Sequence, residues 1–318
     1  MQEYPTGQPP ALSVVSPVYG CAKLVPELVR QLVAVVEPLV GPNFEIILVN
    51  DGSPDGAWPV IRELYEAEPR VVGINLSRNF GQHAAITAGL AHARGQWVVV
   101  MDCDLQDRPD QIPLLYQHAI GSDSDLVQAQ RTLRKDSLVK RITSYLFYKV
   151  LSYLTDARYD PRIANFGLYR RKVIDAILQM PEQNRVFPVM LRWVGFRATA
   201  IPVQHAARPE GKSSYSYSQL LRLAVDVLLA HSDKPLRLVV KAGITLSVIT
   251  LLVALYVLIR ALLGTYTVSG YASIMISIWF LSGLIISILG ILGLYVGKIF
   301  ESVKQRPIYI VNDLLRSK

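Results

Sequence analysis

The chain has 318 residues, of which 51% are hydrophobic, and it carries a formal net charge of +8. It is longer than an average single domain and more apolar than most soluble proteins. Its positive charges gather at the ends of two long apolar segments near the C-terminus, and no nucleic-acid-binding motif accompanies them. The basic balance therefore favours anionic membrane lipid over nucleic acid as a partner.

Short apolar runs alternate with helical patterns over the first 131 residues. The predicted strands are Leu12–Pro17, Phe44–Asn50, Val71–Leu76, Trp97–Met101 and Asp125–Gln130. The predicted helices are Lys23–Val40, Asp55–Ala67, His83–Ala93 and Pro109–Ile120. Apolar strands that alternate with helices predict an α/β fold, in which a mostly parallel sheet is covered by helices on both faces.

Two carboxylates follow the fourth predicted strand. Asp102 and Asp104 are separated only by Cys103, and residues i and i+2 of a strand point the same way. Two like charges at this spacing disfavour each other unless a cation lies between them. A hard divalent ion with oxygen ligands, Mg²⁺ or Mn²⁺, would supply that cation. A solvated turn at the end of the strand is the alternative that this pair alone leaves open.

Several common motifs are absent from the sequence. It has neither G-x-G-x-x-G nor G-x-x-x-x-G-K-[ST], which argues against a dinucleotide dehydrogenase and a P-loop NTPase. It also lacks H-E-x-x-H and G-x-S-x-G. The two cysteines, Cys21 and Cys103, predict no disulfide framework and no thiol-based metal site. The polar, proline-rich segment Met1–Pro10 is not typical of a signal peptide.

The region after Arg131 changes character. Leu138–Leu154 is a basic, aromatic and amphipathic helical pattern, and Ser218–Ala230 is a second candidate of this kind. Such helices suit a membrane surface. An ordinary helix packed on the sheet is the alternative for each of them.

Two uncharged segments in the C-terminal third are long enough to cross a membrane. They are Ala242–Ile259 and Ala261–Gly297, and a membrane helix needs about 20 residues. Buried core helices are the alternative. Lysines and arginines lie before the first segment and after the second, whereas the connection around Arg260–Gly270 carries one positive charge. The positive-inside rule then predicts a cytoplasmic N-terminal domain and a cytoplasmic C-terminal tail.

Four ordered motifs resemble glycosyltransferase family 2, and more narrowly the polyprenyl-phosphate glycosyltransferases. They are Ser16-Pro17-Val18-Tyr19, Val49-Asn50-Asp51-Gly52-Ser53, Ser77-Arg78-Asn79-Phe80-Gly81-Gln82-His83 and Met101-Asp102-Cys103-Asp104-Leu105-Gln106-Asp107-Arg108-Pro109. The similarity also covers the membrane hairpin and the tail around Gln305–Tyr309. It implies a GT-A fold and an inverting transfer of a sugar from a nucleotide sugar to a lipid phosphate.

The resemblance implies a role for individual residues. Pro17, Tyr19 and Asp51 match positions that hold the nucleobase and ribose, and Asp102 and Asp104 match the metal-binding pair. The remaining positions expected on the donor side are Asn79, Cys103, Gln106, Arg131, Arg208 and Lys212, the last two in a basic loop that would close over the diphosphate. The expected parts of the chain are a donor-binding core (1–133), an acceptor-side region (134–235), a transmembrane hairpin (236–298) and a cytoplasmic tail (299–318).

Three positions depart from the family pattern. Gly20-Cys21 stands where relatives have Asn-Glu, and Lys212 is displaced within the Gly211–Tyr215 loop. Asn165 stands where many relatives have the Asp proposed as general base, and Asn cannot accept a proton at neutral pH. A lipid phosphate monoester has a second pKa of about 6, so it is a competent nucleophile without a base. We therefore expect Asn165 to position the acceptor or the metal, with Asp160 as a substitute candidate.

The sequence thus predicts a metal-dependent transferase that moves one sugar, favoured as UDP-linked, to undecaprenyl phosphate for cell-envelope glycan modification. We expect it in the bacterial inner membrane, in contact with membrane lipid and self-associated. A processive polysaccharide synthase is the near alternative, although Val189–Trp193 has Val where the acceptor motif of those enzymes has Gln. A catalytically silent membrane scaffold is the other alternative, and the identity of the sugar stays open.

Overall fold

The structure is a computed structural model that describes residues 9–131, 163–183, 185–204, 234–263 and 270–317. Its contacts divide the chain into two compact units. The first comprises Met1–Ser137, Asp160–Ser214 and Arg306–Lys318, and the second comprises Leu138–Tyr159 and Tyr215–Gln305.

The described part of the first unit is built on one eight-stranded sheet with the order β7-β5-β6-β4-β1-β2-β3-β8. The strands are β1 (Leu12–Val18), β2 (Phe44–Asn50), β3 (Val71–Leu76), β4 (Trp97–Val100), β5 (Leu126–Arg131), β6 (Ile163–Arg170), β7 (Ala198–Val203) and β8 (Val311–Leu315). β1 pairs in parallel with β2 and β4, and β2 pairs in parallel with β3. The five predicted strands are all present, and the prediction of a mostly parallel sheet is confirmed.

Helices cover both faces of this sheet. They are α1 (Val25–Val40), α2 (Ala57–Ala67), α3 (Gln82–His92), α4 (Ile112–Gly121), α5 (Arg171–Leu178) and α6 (Phe187–Trp193). The predicted helix Pro109–Ile120 begins with a 3₁₀ turn at Pro109–Gln111 before α4. The α/β fold predicted from the sequence is therefore confirmed.

The buried side chains form one cluster on each face of the sheet. Val14 of β1 joins the cluster under α1, α2 and α4, whereas its neighbour Val15 joins the cluster under α3, α5 and α6. Successive strand residues point to opposite faces. This arrangement explains why β1, β2 and β4 are apolar at nearly every position, since neither face of these strands meets water.

Strand β6 was not among the predicted strands, and it separates β4 from β5. It runs antiparallel to both, and β5 pairs in parallel with β7. Gly167 lies in the middle of β6, where a Cβ would come 2.8 Å from the Val127 carbonyl oxygen and would also meet the Tyr169 hydroxyl. Asn165 and Gly167 interrupt the apolar pattern of β6, so this strand was not recognisable from its sequence.

The C-terminal residues also join the sheet. Within the predicted tail at 299–318, β8 pairs antiparallel with β3 and sets Asp313 opposite Asn75. Asn75 Nδ2 donates to Asp313 Oδ2 at 3.0 Å. The next residue beyond β8, Arg316, lies 3.2 Å from the Glu45 carboxylate. The tail thus completes one edge of the sheet.

The described part of the second unit contains two long helices, α7 (Lys234–Leu262) and α8 (Tyr271–Val303). Their candidate membrane spans are Leu236–Val253 and Ser277–Val303, and neither is buried inside the protein. Length and composition thus agree with the two predicted spans. The predicted interfacial helices Leu138–Leu154 and Ser218–Ala230 lie outside the described residues.

Candidate functional site

The carboxyl ends of the parallel strands meet at one edge of the sheet. β2 and β3 lie on one side of β1, and β4 lies on its other side. The chain therefore reverses its direction of winding between β1 and β4, and open α/β sheets bind ligands in the crevice at such a point. Four loops border this crevice: 19–24, 51–56, 77–81 and 101–108.

The carboxylate pair lies directly beyond β4, and each member is oriented by an amide. Gln82 Nε2 donates to Asp102 Oδ1 at 2.6 Å, and the Gln106 main-chain N–H donates to Asp104 Oδ1 at 3.1 Å. Both carboxylates are half-buried. The described residues contain no cluster of three or more His, Cys, Asp and Glu side chains that could hold a metal. A metal held by this pair alone would have to take its other oxygen ligands from water or a diphosphate, as hard divalent ions can.

Asn165 lies at the same end of the sheet as this pair. Gly167 of β6 pairs with Val100 of β4 in antiparallel register. Asn165 is two residues before Gly167, and Asp102 is two residues after Val100. Because the strands are antiparallel, both residues lie two positions beyond this pair at the same end of the sheet. The Tyr169 hydroxyl donates to the Asn165 main-chain oxygen at 3.1 Å. Burial and the nearby Asp107 charge raise the pKa of Tyr169, which keeps this hydroxyl protonated.

Asp51 is buried and holds the loop that precedes α3. Its Oδ1 accepts the Phe80 N–H at 2.7 Å, and its Oδ2 accepts the Gly81 N–H at 3.0 Å. Burial raises the pKa of this carboxyl, while the two N–H groups and the Arg78 charge oppose the rise. The predicted contact with base or ribose would have to use the lone pairs that these two bonds leave.

The loop that follows β1 displays Tyr19. Its side chain is 55% exposed, whereas Pro17 is buried in β1. The Gly20 N–H donates to Ser53 Oγ and the Ala22 N–H donates to Asp55 Oδ2, each at 2.8 Å. An exposed aromatic ring on a fixed loop is suited to stack on a nucleobase.

A disulfide joins the first and last of these loops. Cys21 and Cys103 are bonded, and their Cα atoms are 6.5 Å apart. The prediction of no disulfide is therefore corrected. Both cysteines are buried, so Cys103 can reach a donor only through its main chain. The disulfide could not be predicted from the sequence, because 82 residues separate the two cysteines. They come together only because β1 and β4 are neighbours in the sheet.

Asn79 is exposed beside the Asp51 turn. Gly52 has φ +61°, and a Cβ there would come 2.5 Å from the Asn79 main-chain nitrogen. Only glycine therefore lets the turn after β2 lie this close to residues 78–79. The contact brings Asn79 to the same edge as Asp51 and Asp102.

Of the three basic residues predicted near the donor, the structure describes only Arg131. Arg131 ends β5 at this same edge, and its main chain pairs with Val203. Arg208, Lys212 and Asp160 lie outside the described residues. Sequence reasoning gave no role to Gln82, although its place directly after Gly81, at the start of a helix in a quoted motif, was a usable signal.

The chain is similar in sequence to known proteins over most of its length. The family described as Glycosyl transferase family 2 matches residues 13–178. The chain is 36% identical over 304 residues to an uncharacterized glycosyltransferase of Synechocystis sp., covering 95% of each chain. It is 34% identical over 311 residues to the undecaprenyl-phosphate 4-deoxy-4-formamido-L-arabinose transferase of Salmonella paratyphi A, covering 96% of this chain and 93% of the relative.

Solved structures show more distant similarity. A mannosyltransferase from Pyrobaculum calidifontis in complex with GDP-Man and Mn²⁺ has a TM-score of 0.48 and 19% identity, over 73% of this chain and 66% of that one. Glucosyl-3-phosphoglycerate synthase from Mycobacterium tuberculosis, in complex with Mn²⁺, UDP and phosphoglyceric acid, also has a TM-score of 0.48, with 17% identity over 70% and 77% of the two chains.

Proposed function

Because the chain belongs to glycosyltransferase family 2, we propose that it transfers one sugar from a nucleotide sugar to undecaprenyl phosphate. The observation that carries this proposal is the 34% identity to an undecaprenyl-phosphate sugar transferase, which extends over 96% of the chain. That match extends beyond the donor-binding core and takes in the two apolar C-terminal helices as well. A UDP-linked donor is the first choice to test.

The carboxylate pair supports the donor half of this reaction. When the bond between the sugar and the nucleoside diphosphate breaks, negative charge grows on the departing phosphate. A divalent ion supplies the positive charge that stabilises this leaving group. Asp102 and Asp104 would hold Mg²⁺ or Mn²⁺, while Tyr19, Asp51 and Asn79 border the space for the nucleoside.

Asn165 supports the acceptor half. A phosphate oxygen of the lipid attacks the anomeric carbon, a new C–O bond forms, and the nucleoside diphosphate leaves from the opposite face with inversion. The attacking phosphate is largely dianionic at neutral pH and needs no general base. Asn165 can donate a hydrogen bond from its amide and so position the acceptor beside Asp102.

The candidate spans support a reaction at a membrane. Two strongly apolar segments with basic residues at their outer ends fit a hairpin whose ends face the cytoplasm, where nucleotide sugars are available. Self-association of the chain and the position of the catalytic unit on the membrane stay predictions.

Purified full-length protein in detergent tests the proposal. We expect a glycolipid, extractable into organic solvent, when undecaprenyl phosphate and Mn²⁺ are combined with one of a panel of radiolabelled nucleotide sugars. Asp104→Asn keeps the size of the side chain but loses its charge, so turnover should fall by at least about 100-fold with an unchanged melting temperature. Failure of every donor, with folded wild-type protein, would favour the silent scaffold instead.

A further inference from the structure

The Asp102 carboxylate has a partner that belongs to a different loop. Gln82, the first residue of α3, donates from Nε2 to Asp102 Oδ1 at 2.6 Å. The two residues are 20 positions apart in the chain and meet across the crevice between β1 and β4. A neutral amide at this distance fixes one carboxylate oxygen, and its own oxygen atom remains available to other groups.

Helix α3, which carries Gln82, packs tightly on the sheet. Helix α3 is buried along almost its whole length after the first two residues. A Cβ at Gly89 would collide with the Val15 side chain of β1, and it would also come 3.1 Å from Val49 of β2. Such close packing between helix and sheet leaves α3 little freedom to shift.

The start of α3 is also held by the loop that follows β2. Gly81 precedes Gln82 with φ +95°, and the buried Asp51 carboxylate accepts its N–H together with that of Phe80. The turn at Gly52 packs directly on the Arg78–Asn79 main chain. Gln82 therefore stands on a rigid base, whereas its exposed side chain crosses to Asp102.

The chemical type of this partner matters as much as its position. A lysine or arginine here would orient Asp102 but would also neutralise the charge that a divalent ion needs. An amide orients the carboxylate and leaves its charge intact. Partners that hydrogen-bond a metal-ligating carboxylate typically change metal affinity or activity about 10- to 100-fold when they are removed.

We propose that Gln82 is a positioning residue for the metal site, which holds the Asp102 carboxylate in the orientation that binds the divalent ion of the donor complex. This inference rests on the proposed function, because it assumes that Asp102 and Asp104 bind that ion. It follows that Asp51 contributes to metal binding indirectly, by holding the loop that precedes Gln82.

Direct metal binding tests the inference. Free Mn²⁺ is measured by electron paramagnetic resonance while full-length protein with saturating UDP is titrated. Gln82→Leu should raise the dissociation constant for Mn²⁺ about 10-fold, and Gln82→Lys should raise it further because its charge competes with the ion. In activity assays, the Mn²⁺ concentration for half-maximal turnover should rise about 10-fold in Gln82→Leu, and added Mn²⁺ should recover part of the turnover that this variant loses.

Gln96→Leu is the matched control, because Gln96 is exposed at the opposite end of β4. This variant should bind Mn²⁺ as wild type does. Equal Mn²⁺ affinity of Gln82→Leu and wild type would overturn the inference, and so would equal weakening in both leucine variants. Absence of Mn²⁺ binding by wild-type protein would instead contradict the metal-dependent function itself, so the two failures are distinguishable.

Discussion

At the scale of single residues, the site combines charged groups with neutral amides. Asp102 and Asp104 supply the charge, whereas Gln82 and the Gln106 N–H orient their carboxylates. Asn165 adds a neutral amide at the same end of the sheet. The two aspartates were visible in the sequence as a candidate site, because two like charges at this spacing disfavour each other unless a cation lies between them. The partner of Asp102 was not visible, because the sequence does not state which loops meet at the edge of a sheet.

The role of Asn165 leads to a prediction about turnover. Asn165→Ala removes the amide that would hold the lipid phosphate, and a misplaced reactant typically costs up to about 100-fold in rate. We expect a fall in kcat of about 10- to 100-fold with little change in the donor KM. Asn43→Ala, on the opposite edge of the sheet, is the control and should change neither kcat nor the donor KM. Full turnover by Asn165→Ala would show that Asn165 does not position the acceptor.

The same reaction should show a simple dependence on pH. The acceptor loses its second proton with a pKa of about 6, and Asn165 itself does not titrate. The rate of wild-type enzyme should therefore rise as pH increases through 6 and then level off, without a second rise from a protein base. The measurement is kcat/KM for undecaprenyl phosphate between pH 5 and 8.

At the scale of elements, the four loops of the crevice are joined to one another. The turn after β2 binds the loop after β1 through Ser53 and Asp55, and Asp51 binds the loop before α3. The disulfide between Cys21 and Cys103 joins the loop after β1 to the carboxylate pair. A thiol reductant such as dithiothreitol breaks a disulfide by thiol–disulfide exchange, so the state of this bond can be set experimentally.

Breaking the disulfide should weaken both stability and donor binding. A bond between residues this far apart in sequence typically contributes about 2–4 kcal/mol. Protein oxidised before purification should therefore melt several degrees higher than the same protein in dithiothreitol, and its donor KM should be lower because the loops are ordered in advance. The double variant Cys21→Ser, Cys103→Ser should not respond to dithiothreitol. Identical melting of oxidised and reduced wild type would contradict this prediction.

At the scale of the whole molecule, the sequence predicted the strands that alternate with helices over the first 131 residues and missed the three that follow. β1 to β4 are largely apolar runs, and β5 follows a clear helical pattern. β6 is buried at its centre but carries Asn165 and Gly167, whereas β7 contains Pro202 and is largely exposed. β8 is a short edge strand with three exposed residues in its middle. Burial on both faces leaves a compositional signal, whereas an edge or a functional strand does not.

The return of the C-terminal residues to the sheet yields the last prediction. Arg316 Nη2 donates to the His92 carbonyl at 2.6 Å and pairs with the Glu45 carboxylate, which also accepts bonds from Ser13 Oγ and the Arg94 N–H at 2.7 Å each. Arg316→Ala leaves a buried carboxylate without its cation, which costs about 3 kcal/mol or more in comparable sites. The melting temperature of the detergent-solubilised protein should fall by several degrees.

Two further variants separate the ion pair from a general loss of charge. Arg306→Ala removes the same charge from an exposed position of the same segment, so its melting temperature should match wild type. Glu45→Gln combined with Arg316→Met removes both charges, and because no unpaired ion then remains buried, it should melt above Arg316→Ala. If Arg316→Ala and Arg306→Ala melt alike, the pairing of the C-terminal segment with the sheet contributes nothing to stability. A drop confined to Arg316→Ala would show that residues beyond the second candidate span stabilise the domain that holds the active site.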